Sequence, residues 1–206
     1  MDNTKSNTEK PIVPPPVIGK HTGAQVDKQT GSIDEAKALF QRAKKRLFDI
    51  NHWHDFAGAG SATFTLTDKY GNDVSHPPEI GDFIKIDLPG PGSTEGEGYD
   101  WVEIEAIEEK KEHIAEYAAI RVRPATNPRT LNDDKIAHFH SDTATSTFIV
   151  QREGTLVSAA EKGRNETENK ENLNFLDKIR NILVSWTASK GAAYPQWKAL
   201  MEGFLK

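Results

Sequence analysis

Between Ile80 and Ile107 the chain reads IGDFIKIDLPGPGSTEGEGYDWVEIEAI, and this stretch restricts the possible folds more than any other. Phe83 to Leu88 and Asp100 to Glu105 both alternate apolar with charged residues. That is the period-two signature of strands with one buried and one polar face. The connection between them, Pro89 to Gly98, holds four glycines and two prolines in ten positions, a hairpin tip or flap. Its phosphate-cradle reading is weak: it has no lysine and no following helix, and Glu95 and Glu97 would repel phosphate.

The same alternation recurs on both sides. Ser61 to Asp68 sets Ala62, Phe64 and Leu66 against threonines. After a charged break at Glu108 to Glu112, His113 to Pro124 sets Ile120 and Val122 against Arg121 and Arg123. Ile136 to His140 reads as a short strand or helical turn. Thr145 to Glu161 reads as a hairpin turning at Arg152-Glu153-Gly154, and Gly163 to Asn172 as polar and irregular. Short turns between strands imply antiparallel neighbours.

Helices are expected only outside this run. Ser32 and Glu35 form a capping box. Ile33, Ala36, Leu39, Phe40, Ala43, Leu47 and Ile50 then recur at helical spacing, opposite a face bearing Lys37, Gln41, Arg42, Lys44, Lys45 and Arg46. That basic face is read as solvated, with phosphate binding as the sharper alternative. Near the end, Asn174 caps a long helix striped by Leu176, Ile179, Ile182, Leu183 and Trp186, and Gly191 stops it. Pro195 opens a shorter one carrying Trp197, Leu200, Met201, Phe204 and Leu205.

Residues 1–31 are read as a disordered, proline-containing tail and 32–206 as a single α+β domain. The tail is polar apart from Val13, Val17 and Ile18 around a triple proline, so it buries too little to order itself. No strand is expected ahead of the first helix. The fold class that follows is α+β: a curled antiparallel sheet of about five to seven strands, packed against a long C-terminal helix and an N-terminal helix.

Net charge is −5, which argues against bulk affinity for nucleic acid or anionic membrane but leaves room for a local basic patch. There is no cysteine, so disulfides, thiolate chemistry and cysteine-bound metals are excluded. MDNTKSNTEK lacks the apolar core of a secretory signal, and no run of about 18 apolar residues exists. A soluble cytoplasmic protein is the expectation.

Two histidine doublets, His52-Trp53-His54 and His138-Phe139-His140, carry most of the chemical interest. On a strand, each doublet would offer two imidazoles to one divalent cation, with Asp55 and Asp142 close by. The bland reading packs Trp53 and Phe139 inward and leaves the histidines at the surface. Arg121, Arg123, Arg152 and Arg164 can grip a carboxylate or phosphate, or pair with Glu103 and Glu105 across strands. The matching period favours the ladder.

From the Ser32 helix through the hairpin TSTFIVQREGTLVSAA to LDKIRNILVSW, the order of elements resembles the START-like (helix-grip, SRPBCC) superfamily. The resemblance implies a sheet curled around a long C-terminal helix with an apolar ligand held between them. It transfers no site residue. On this reading the chain binds a small apolar ligand or a partner without catalysis, and Phe64, Trp101, Phe148 and Trp186 line the cavity. Two alternatives remain open: a metal-dependent enzyme using His52, His54, His138 and His140, and an assembly subunit or adaptor that binds a protein partner through residues 1–31.

Overall fold

The computed structural model describes residues 12–14, 20–58, 61–87, 98–130, 144–166 and 196–206. Seven antiparallel strands form one curled sheet: β1 Lys20–Gln29, β2 Thr63–Thr67, β3 Phe83–Asp87, β4 Asp100–Lys111, β5 Ala115–Ala125, β6 Thr145–Glu153 and β7 Leu156–Glu166. Among the described residues, three helices accompany it: α1 Ile33–Leu47, α2 Trp53–Ala57 and α3 Gln196–Phe204. The strand order is β1-β7-β6-β5-β4-β3-β2. The chain therefore starts at one edge, passes through α1 and α2 to the opposite edge, and meanders back until β7 pairs with β1.

The α+β reading with a curled antiparallel sheet is right, and the strand number is seven. The reading of residues 1–31 as tail is corrected over Lys20–Gln29, and with it the expectation that no strand precedes α1. The sequence KHTGAQVDKQ hides this strand because an edge strand is held by its ladder more than by its side chains. Nine residue pairs tie it to β7, and Ala24 and Val26 add a modest apolar contact. Gly23 permits the pairing: a Cβ there would stand 2.7 Å from the Glu161 carbonyl oxygen.

Two further boundaries move. β4 runs through the expected charged break to Lys111, because Glu108 to Lys111 stay paired with Ala119 to Glu116 of β5, and Glu109 also accepts from Lys44 Nζ at 2.7 Å. β7 continues to Glu166, into the stretch read as irregular. The β6–β7 turn falls at Gly154-Thr155, where Gly154 has a φ of 56°, one step later than expected. Asn174–Ser189, the expected long helix, and Ile136–His140 lie outside the described residues.

Helix α1 starts as its sequence dictates. Ser32 Oγ accepts from the Glu35 N–H at 3.2 Å, while the Glu35 carboxylate turns back to the N–H of Gly31 at 2.9 Å. Ala36, Leu39, Phe40, Ala43 and Leu47 are buried, whereas Ile33, at the helix start, is exposed. The basic face is not simply solvated. Arg46 Nη1 donates to the carbonyls of Gly203 and Phe204, and Arg42 Nε to that of Lys206. The last carbonyls of a helix have no partner of their own, so these cations cap the negative end of α3. Burial, and then the charge of Arg42, lower the pKa of Arg46.

The main core lies on the concave face between sheet and helices. It joins Leu39, Phe40 and Leu47 to Ile84, Ile104, Ile120 and Val150, and to Leu200, Met201 and Phe204. A second, small cluster sits on the convex face. There Ile12, from the expected tail, packs on Ala119 and Ile149, with Val13, Ala106 and Tyr117 beside it. Arg121 Nη1 donates to the Ile12 carbonyl at 3.0 Å.

Candidate functional site on the concave face

Trp53 stands at the centre of an aromatic group. Its ring centroid lies 5.4 Å from Phe64, 4.8 Å from Phe148 and 5.9 Å from Phe204. The indole of Trp197, on α3, lies 5.2 Å from Phe148 and 6.2 Å from Phe64. Edge-to-face and tilted pairs at such distances are favoured by the ring quadrupoles.

The two indoles differ in their polar edges. Trp53 Nε1 donates to the carbonyls of Arg46 and Leu47, both at 3.1 Å. Trp197 Nε1 is buried and has no acceptor. Buried donors are normally paired, and leaving one unpaired costs roughly 1–3 kcal/mol.

Across the ladder from Phe148 is a polar spot in the apolar wall. Glu161 stands directly opposite Phe148 in the β6–β7 register. Ser146, two residues before Phe148, donates to Glu161 Oε1 at 2.8 Å. Glu161 and Ser146 are each 1% exposed. Glu161 shares the face of Val157 and Ala159, so a carboxylate at a period-two core position was the available signal. Sequence reasoning placed this residue at the end of a hairpin and missed it, together with Ser146 and the role of Trp197.

Of the expected lining residues, Phe64 and Phe148 join this group through Trp53. Trp101 does not. Its neighbour Val102 pairs with Ile84 on the concave face, while Trp101 pairs with Lys85 on the other. Successive strand residues point to opposite faces, so Trp101 is a convex-face residue. Trp186 lies outside the described residues.

His52 and His54 are not on a strand. His52 ends a short 3-10 turn and His54 belongs to α2, so the same-side argument from strand geometry does not apply. Trp53 between them points into the core. His52 Nδ1 is 2.6 Å from Asp49 Oδ1, and this hydrogen bond, with the Asp49 charge, raises the imidazole pKa. His54 Nε2 is 3.2 Å from Asp55 Oδ1. His138 and His140 lie outside the described residues. Among the described residues, no group of three histidines, aspartates or glutamates could hold a metal ion.

The arginine ladder is present. Arg121 Nε is 3.1 Å and Arg123 Nε 3.0 Å from the two oxygens of Glu105, and Arg123 reaches Glu103 at 3.5 Å. Arg152 instead faces the concave side. It is 2% exposed, binds Glu116 at 2.7 Å, and donates to the carbonyls of Ile114 and Gly154. Gln41 of α1 completes the group by donating to Glu116.

No family model and no curated protein matches the chain. Similar solved structures include a hypothetical protein from Helicobacter pylori, 11% identical over 90% of this chain and 86% of that one, with a TM-score of 0.44. Norcoclaurine synthase from Thalictrum flavum, with a transition-state analogue, is 9% identical over 92% of this chain and 97% of its own, at a TM-score of 0.40. A major latex-like protein from Panax ginseng is 12% identical over 80% and 96%, at 0.35. At these values the likeness transfers neither a family nor a ligand. Among the described residues, no helix is long and apolar enough to cross a membrane.

Proposed function

We propose that this chain binds a small, mainly apolar molecule on the concave face and performs no chemistry on it. The observation that carries this reading is the indole N–H of Trp197, whose ring packs on Phe64 and Phe148 and which is buried without an acceptor among the described residues. Binding sites for small molecules are typically apolar and aromatic walls with a few placed polar groups. Here Trp197 supplies the donor, and the Ser146–Glu161 pair supplies polar atoms directly across the ladder from Phe148. The ligand that fits is an aromatic or alicyclic body bearing one hydrogen-bond acceptor.

The test is titration with matched pairs of apolar molecules, with and without a carbonyl or ether oxygen, followed by tryptophan fluorescence and melting temperature. The acceptor-bearing member binds more tightly, and Trp197→Phe removes that preference while keeping the ring. If neither member changes fluorescence or melting temperature, the reading fails.

A further inference from the structure

On the convex face, β6 places Thr145 and Thr147 side by side on one strand face. The register sets Arg164 of β7 opposite Thr145, and Lys162 opposite Thr147. Thr147 is fully buried and Thr145 is 7% exposed, yet neither hydroxyl has a hydrogen-bond partner. On the other side of β6, Arg121 pairs with Thr147 in register and is engaged by Glu105. Lys162 and Arg164 differ from it. Among the described side chains neither makes an ion pair, and Arg164 donates to the Gly163 carbonyl. Among the described side chains, two hydroxyls without partners thus adjoin two cations without counter-ions, in a chain of net charge −5.

We infer that Thr145, Thr147, Lys162 and Arg164 form a binding site for a phosphate-class oxyanion on the convex face of the sheet. A hydroxyl donates to an anion oxygen, and a guanidinium and an ammonium supply the charge. The two cations match the roughly double negative charge of a phosphate better than the single charge of a carboxylate. The three or four oxygens of a phosphate match the four donor groups. This site lies on the opposite face from Trp197 and does not depend on the ligand proposed for the concave side.

The experiment titrates the full chain with inorganic phosphate, with glycerol phosphate and with acetate at equal ionic strength, read by phosphorus resonance linewidth and calorimetry. Saturable binding of either phosphate, and weaker binding of acetate, is expected. Binding of both assigns the site to the phosphate group itself, and binding of glycerol phosphate alone assigns it to a phosphate carried on a larger molecule. Lys162→Gln with Arg164→Gln weakens binding about tenfold or more, and Thr147→Val, which keeps shape and removes the hydroxyl, does likewise, whereas Thr147→Ser retains it. The serine variant separates loss of binding from loss of fold, as does near-ultraviolet dichroism of each protein. Absence of saturable phosphate binding, equal affinity for acetate, or binding unchanged in both the valine and the double variant overturns the assignment.

Discussion

The two faces of this sheet are built from the same alternating strands, yet they are buried by different means. The concave face is closed by α1, α2 and α3 over a continuous apolar core. Its polar side chains are held in short, specific groups: Arg152 with Glu116 and Gln41, and Ser146 with Glu161. The convex face carries the Glu103–Glu105–Arg121–Arg123 ladder and the two threonines. Among the described residues, Ile12 and Val13 cover a narrow apolar strip there, and Trp101, Thr145 and Thr147 are buried on the same face. Period two says which residues share a face. It does not say which face a helix will close, and Trp101 shows the consequence. A tryptophan in an alternating strand was expected to line the cavity, but its side chain belongs to the convex side.

If the concave face carries the stability, the largest losses arise there. Trp53→Ala removes a side chain that is 1% exposed and touches three phenylalanines. The expected loss is about 3–5 kcal/mol in denaturant unfolding. Arg152→Ala leaves Glu116, itself 5% exposed, without its cation, at a similar cost of about 3–5 kcal/mol. Replacing both Arg152 and Glu116 with apolar residues recovers much of that loss, because no unpaired charge is then buried. A double variant as unstable as the single one would show that the carbonyls of Ile114 and Gly154 matter more than the charge.

A smaller effect tests how closely the helices approach one another. Gly203 of α3 sits against the backbone carbonyl of Phe56 in α2, where an added Cβ would collide. Gly203→Ala forces the two helices apart, at about 1–3 kcal/mol. The convex ladder is smaller again. Glu103→Gln costs about 0.2–1 kcal/mol, the range for a cross-strand pair, and the difference from the parent shrinks as salt is added. A loss as large as that of Arg152→Ala would erase the contrast between the faces.

These contrasts explain what the sequence reveals. Strands β2 to β5, the cap at Ser32 and the stripe of α1 are legible because burial on one side imposes a period, whereas β6, buried on both faces from Thr145 to Val150, is legible with β7 as a hairpin about a glycine turn. The ladder is legible because glutamate and arginine share that period. Strand β1 is not, since an edge held by nine backbone pairs needs little from its side chains. The concave site is legible only in part. Phe64 and Phe148 sit on apolar faces, and the sequence shows it. The missing acceptor of Trp197 depends on how α3 lies against β6, which no local pattern encodes.

Ile12 and Val13 cover a strip whose titration sharpens the contrast further. Tyr117 lies on it, and burial, then the negative charge of Glu108, raise its phenol to about 12. An unfolded tyrosine titrates near about 10. The folded chain therefore keeps this proton over a range in which the unfolded chain has released it. Stability from the neutral phenol is complete below about pH 10 and is lost as pH rises through about 12. At neutral pH the group contributes no such dependence, which makes this the smallest effect under ordinary conditions. Removing residues 1–14 uncovers the strip. If Ile12 and Val13 supply the burial, the phenolate absorbance then appears nearer to pH 10, and the alkaline loss of stability weakens with it. A titration that does not move on truncation assigns the desolvation to the neighbours Ala106, Ala119 and Ile149, and the convex face then keeps this group dry without help from the start of the chain.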